Sequence, residues 1–190
     1  GAEAREIYFT SGGSESDHWA IKKIMISRLN KGKHMITTKV EHHAVLESCK
    51  YLESLGFEVT YLNVNEDGLI DLNELESSIR EDTILVSIMA ANNEIGTLMP
   101  LKEIGSICKK HKVLFHTDAV QAYGNIPIDV NEMNIDLLST SAHKIEGPKG
   151  IGFLYVRKGV MITPLISGGM QEKVKLAGTT NAEGIIGFAK

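Results

Sequence analysis

The sequence is poor in the features that mark several protein classes. Its 190 residues hold only two cysteines, Cys49 and Cys108. They lie far apart in helix-like stretches, which argues against a disulfide framework or a zinc site and suits a reducing cytosol. No other metal-ligand set is predicted. No apolar run approaches the roughly 20 residues that a membrane-spanning helix requires. The net charge is −4, with both signs interspersed, so no basic stripe offers itself to nucleic acid. Gly1 to Glu6 lack the basic start and apolar core of a secretion signal. Internal repeats, low-complexity tracts and linkers are missing too. What is present is a hydrophobic content of 43%, enough for a sizeable core. The length suits one large domain or one and a half small ones. Both ends read as cut: Arg5-Glu6 runs straight into a strand, and the helical pattern from Asn181 to Lys190 stops without a cap. A fragment of a longer protein is expected.

Strand and helix patterns alternate along the whole chain. Ile7 to Thr10 reads as a strand. A Gly12-Gly13-Ser14 turn then opens a helix with Trp19, Ala20, Ile21, Ile24, Met25 and Leu29 at helical spacing. A strand over His34 to Thr38 precedes a helix with Val45, Leu46, Cys49, Leu52 and Leu55 on one face, stopped by Gly56. Val59 to Leu62 is a strand, Glu66-Asp67-Gly68 a turn, and Asp71 the cap of the next helix. Thr83 to Met89 is a continuous apolar strand of the kind buried on both faces of a parallel sheet. A helix over Leu101 to Lys110 leads to a strand over Val113 to Thr117. The pattern predicts an α/β fold: a mainly parallel, doubly wound sheet with helices on both faces.

The segment from Ser139 to Gly152 organises the rest. Short apolar runs, Ile135 to Leu138 and Phe153 to Val156, flank it, and Gly147, Pro148 and Gly150 break both strand and helix. It reads as a tight connection that holds Lys144 at a strand end. Taken alone, such a lysine is a solvated surface charge. The preceding strand, however, ends in Asp118 with Gln121 close behind. A lysine paired with a strand-end aspartate is what pyridoxal 5'-phosphate (PLP) needs: an amine for a Schiff base and an anion for the pyridinium nitrogen. Parallel sheets bind ligands at the carboxyl ends of their strands. Gly13, Ser14, His42, Asn93, Asp118, Gln121, Ser141, His143 and Lys144 all fall there. Gly13 and Ser14 open a helix, a natural phosphate cradle, although Ser14 or Ser16 could equally be a simple N-cap. His143 and Ser141 can join them on the phosphate. Gln121 can donate to the ring oxygen. His42 can lie on the ring with one nitrogen free for proton transfer. Burial beside the cofactor would help keep Lys144 neutral. His18, His34 and His111 are expected at the surface, and Trp19 and the methionines in the core.

Five stretches in this order resemble cysteine desulfurases of the NifS/IscS type. They are Ser11 to Asp17, Glu41 to Val45, Asn92 to Gly96, His116 to Gln121 and Ser141 to Gly150. These enzymes belong to the class V, fold-type I PLP-dependent group, and the resemblance covers nearly the whole chain. It implies Lys144 as the Schiff-base lysine and His42 as the ring-stacking histidine. Asp118 would pair with the pyridinium, and Asn93 and Gln121 would sit on the ring-oxygen side. Gly13, Ser14, Ser141 and His143 would bind phosphate, with Thr179 reaching the phosphate of the neighbouring subunit in a homodimer. It also implies conversion of L-cysteine to L-alanine, with the sulfur passing through a cysteine persulfide to an acceptor or iron–sulfur scaffold protein in the cytoplasm. The family's persulfide cysteine lies on a loop beyond Lys190, so neither Cys49 nor Cys108 takes that role. The chain alone is then expected to be the PLP-binding large domain, residues 1–190, without the small C-terminal domain and without activity of its own. His18 stands where the family usually has Asn, and Leu176, after Lys173-Val174-Lys175, stands where Arg is usual. A class V aminotransferase, a selenocysteine lyase and a non-catalytic fragment that keeps the fold are the alternatives.

Overall fold

The computed structural model describes residues 1–168 and 176–190. Seven strands form one sheet: β1 (Ile7–Thr10), β2 (His34–Thr38), β3 (Glu58–Leu62), β4 (Thr83–Ser87), β5 (Leu114–Asp118), β6 (Leu137–Ser141) and β7 (Gly152–Val156). Their order is β1-β7-β6-β5-β4-β2-β3. The pairs from β6 through β3 are parallel, whereas β7 runs antiparallel to both β1 and β6. The mainly parallel sheet is therefore present, with β7 inserted as one reversed strand. Two reversals restore direction, so β1 ends at the same edge as β6. That places the turn after β1 beside the ends of β5 and β6.

The helices are α1 (Gly13–His18), α2 (Ile24–Ser27), α3 (His43–Ser54), α4 (Leu72–Ser78), α5 (Leu101–His111) and α6 (Ala182–Ala189). A π-helical turn, Trp19–Lys23, joins α1 to α2 without a break. Both faces of the sheet are covered. Met35, Leu85, Leu137 and Leu154 pack with Trp19, Ile21, Val45 and Cys49 on one side. Ile36, Val86, Phe115 and Leu138 pack with Leu75, Ile104 and Cys108 on the other. Neighbouring strand residues feed opposite layers, which is the period-two consequence of the pleat. Trp19 has no exposed surface and donates from Nε1 to the Thr163 carbonyl at 2.9 Å. Trp19→Ala should destabilise folding by about 3–5 kcal/mol in a denaturant titration, through lost burial and an unfilled cavity.

Several expectations shift. Leu29 and Leu55 are about half exposed, because α2 ends at Ser27 and α3 at Ser54, before either residue can join its apolar stripe. β6 begins two residues and ends three residues later than the apolar run suggests, so Ser139, Thr140 and Ser141 are strand rather than connection. Two of these hydroxyls find partners inside the sheet: Thr140 Oγ1 donates to the Phe153 carbonyl at 3.3 Å, and Ser139 Oγ meets His116 Nε2 at 3.0 Å. His34 is not at the surface. It is 1% exposed and bridges Thr83 Oγ1 and Thr60 Oγ1, and burial followed by the Arg80 charge holds its pKa down. His18 is half-buried, with its pKa lowered by burial and then by Lys22, while His111 is exposed as expected. Asp71 caps α4, its Oδ1 accepting from the Asn73 N–H at 2.7 Å.

Candidate functional site

One cavity of about 310 Å³ opens at the carboxyl edge of the sheet. Nine of the ten residues expected at a site from the sequence line it: Gly13, Ser14, His42, Asn93, Asp118, Gln121, Ser141, His143 and Lys144. The tenth, Thr179, lies elsewhere, in a separate cleft with Ser11, Glu15 and Leu176. Residues 173–175, which precede Leu176 in the departure from the family pattern, lie outside the described residues.

Each side chain is held by local structure. Asp118 ends β5, is 6% exposed, and accepts the Val120 N–H at 2.9 Å. Burial pushes its carboxyl up, while the Val120 N–H and His42 pull it back. His42 is the N-cap of α3, and its Nδ1 accepts the Ala44 N–H at 3.2 Å. In that bond Nδ1 is the acceptor, and it ties the ring to the first turn of α3. The chain then leaves β6 through a single 3₁₀ turn, Ala142–Ile145. Ala142 anchors this turn in the core, while His143 and Lys144 are exposed beyond it. The turn closes by a bond from the Gly147 N–H to the Ala142 carbonyl at 2.9 Å, with Glu146 left-handed at φ 63°. The expected burial of Lys144 is not observed, because the turn carries it outward.

The start of α1 has no side-chain cap. Ser16 Oγ instead donates to the Gly12 carbonyl at 3.1 Å, and Ser14 is exposed. The first-turn N–H groups are therefore not taken up by a serine oxygen, and Gly13 and Ser14 line the cavity. Ser141 Oγ and His143 Nδ1 sit 2.8 Å apart on the same side. A methyl group on Gly13 would come within 2.5 Å of Val120, so only glycine lets the loop pass this close. Asn93 is exposed at the rim, and Asn92 holds it there. Asn92 Nδ2 donates to the Val40 carbonyl at 3.1 Å, and its Oδ1 accepts the Glu94 and Ile95 N–H groups.

Four cavity residues were not foreseen as site residues: Asp17, Met89, Ala91 and Val120. Asp17 is the important one. It is 1% exposed, and its carboxyl lies with those of Asp118 and the His42 ring within a 4.8 Å cluster. The sequence does carry a signal for it. Asp17 shares a helical stripe with Ala20, Ile21 and Ile24, where a carboxylate would normally be avoided. Glu41 is a further buried carboxyl below the cavity. Its Oε1 accepts from Thr38 Oγ1 and the Met89 N–H, and burial pushes its pKa up to about 8.

Both cysteines are buried, and burial pushes each thiol up to about 12. A thiolate nucleophile needs the opposite environment. An alkylating reagent at pH 8 should leave Cys49 and Cys108 unmodified in the native protein and label both in denaturant, as read by mass spectrometry.

A family model described as aminotransferase class-V matches residues 1–189. The chain belongs to the class-V aminotransferase family. Its curated relatives include a protein named cysteine desulfurase IscS from Methanosarcina thermophila, 61% identical over 190 residues, which cover 100% of this chain and 47% of that protein. Among solved structures, a NifS-like protein superposes with a TM-score of 0.96 at 47% identity, over 99% of this chain and 52% of its own. Another, described as SspA in complex with cysteine, gives a TM-score of 0.95 at 46% identity, over 98% of this chain and 55% of its own. This class-V chain thus spans about half the length of the relatives it matches. Its fold is that of the fold-type I enzymes, as the five ordered motifs imply.

Proposed function

We propose that the full-length protein is a PLP-dependent cysteine desulfurase and that residues 1–190 are its cofactor-holding large domain. One observation carries this reading. A single cavity gathers an amine, Lys144, a buried acid, Asp118, an imidazole, His42, and the hydroxyl and N–H donors of a phosphate cradle. The donor set fits the cofactor group by group. Gly13, Ser14, Ser141 and His143 would take the phosphate. Asp118, backed by the Val120 N–H, would face the ring nitrogen. Asn93 and Gln121 would hold the ring-oxygen side. The Lys144 amine would hold the aldehyde carbon.

When bound, PLP supplies an electron sink for the α-carbon of an amino acid. The chain's part is to position that ring and to move protons beside it. The Lys144 amine and the His42 imidazole are the groups proposed to do so. L-Cysteine is the proposed substrate, supported by the names of the relatives and by the cysteine-bound neighbour. The persulfide thiol is proposed to lie outside residues 1–190, supported by the inert environments of Cys49 and Cys108. A sulfur-acceptor or iron–sulfur scaffold protein is the proposed recipient. A homodimer, with Thr179 contributing to the neighbouring site, is proposed from the family resemblance. Among the described residues, no helix is long and apolar enough to cross a membrane. A cytoplasmic location is proposed in line with the free thiols.

The test is incubation of the full-length, cofactor-loaded protein with L-cysteine and a dithiol reductant. Alanine and sulfide should appear in equal amounts. Keto acid instead of alanine would move the reading to an aminotransferase, and turnover of selenocysteine alone would move it to a lyase.

A further inference from the structure

We propose that Asp17 and Asp118 form a carboxyl pair holding one proton, with Asp17 as the acid that donates its O–H to the Asp118 carboxylate. Asp17 is then a positioning residue for the group that faces the cofactor ring, and this role rests on the function proposed above. The geometry leaves little else. Both carboxyls are nine-tenths buried or more, at 1% and 6% exposure, and within 4.8 Å of each other. Two buried carboxylates this close cannot both be ionised without a cation between them.

Among the described residues, no neighbouring element places a buried cation between the two. From β5, His116 Nε2 lies 3.6 Å from Asp17 Oδ1, but this ring is fully buried between the Ser87 and Ser139 hydroxyls and stays neutral. From the β2–α3 loop, the exposed His42 pulls down the carboxyl of Asp118 rather than that of Asp17, and Glu41 adds a carboxyl rather than a positive charge. From the turn after β6, Lys144 and His143 are exposed at the cavity mouth. On the same helix, Glu15 turns away to accept the Ser11 N–H, and His18 is half-buried with its pKa lowered. Asp17 Oδ1 is left with no hydrogen-bond partner.

The proton belongs on Asp17 rather than on Asp118. Asp118 has a backbone N–H to stabilise its charge. Asp17 is pushed well above the ordinary carboxylate range by burial and then by the Asp118 charge, and the Ser139 hydroxyl does not outweigh them. A pair with a single negative charge matches a single protonated ring nitrogen. The Asp17 O–H also fixes the orientation of Asp118 before the cofactor arrives.

Infrared difference spectra of the cofactor-free, full-length protein test the shared proton directly. At neutral pH, the unmodified protein minus Asp17→Asn should show the carbonyl stretch of a protonated carboxyl. Carboxylate bands in its place would overturn the proposal. Asn keeps the size and a donor, so Asp17→Asn should bind PLP within about threefold of the unmodified protein, whereas Asp17→Ala should bind about tenfold or more weakly. Equal affinities for all three would overturn the positioning role. An unmodified protein that fails to bind PLP would sink the desulfurase reading instead, and the infrared result would still decide the shared proton.

Discussion

Replacing Lys144 by alanine should remove the visible absorbance of the PLP-loaded protein and lower L-cysteine turnover at least about a thousandfold. The size of the effect follows from geometry. Lys144 is the lysine that lines the cavity with Asp118 and His42, whereas Lys149 lies outside it, in the neighbouring cleft with Gly150. A covalent amine anchor has no substitute among hydrogen bonds, because removing a bond-forming atom is not a matter of weakened affinity. The fold should survive the change. Lys144 is exposed, and the turn that carries it is closed by backbone bonds at Ala142 and Gly147 and by the buried Ala142 side chain. Circular dichroism and melting should therefore be unaltered. Lys149→Ala should retain both absorbance and turnover. Absorbance that persists without Lys144 and vanishes without Lys149 would reassign the anchor.

The second large effect is expected at Asp118, where function and stability should move in opposite directions. Asp118→Asn keeps the shape and can still accept the Val120 N–H, but it removes the charge proposed to face the ring nitrogen. Turnover should fall by about a hundredfold or more, as it does when one preorganised electrostatic partner of a reacting group is lost. The cofactor-free protein should meanwhile become more stable at neutral pH. Burial raises the folded-state pKa of Asp118 above its unfolded value, so the folded protein holds the proton more tightly. The sign follows from linkage. Near the unfolded carboxyl value of about 4 and below, Asp118 costs nothing. As pH rises through the folded pKa, ionising a buried group erodes stability, and Asn cannot ionise. The melting temperatures of the two proteins should coincide in acid and separate towards neutral pH, with the variant higher. A variant less stable at pH 7 would show that Asp118 is a structural anion rather than a functional one.

That opposition explains why Asp17, Glu41 and Asp118 crowd together under one cavity. Among the described residues these three buried carboxyls have no buried cation beside them, and burial raises the pKa of each. A cationic ring at the same place would relieve part of the strain. On the function proposed above, the local cost to stability is the physical trace of a site shaped for a cationic ligand.

The sequence by itself determined the local elements and the order of the chemistry. Alternating strand and helix periods, the Asp71 cap, and the glycines and proline after Lys144 depend on neighbours within a few residues. They could be read without knowing what packs against them. The rule that parallel strands present ligands at their carboxyl ends then placed nine candidate site residues at one edge, where they line one cavity. Tertiary structure decided what depends on distant partners. The reversal of β7 depends on which backbones pair across the sheet. The burial of His34 depends on Thr60 and Thr83, which are remote in sequence. The exposure of Lys144 depends on how a single turn leaves β6. Asp17 is the sharpest case: its place on an apolar stripe was visible, but its meaning required Asp118, about a hundred residues away. Local propensity is set by covalent neighbours, whereas burial and protonation are set by whatever the fold brings alongside.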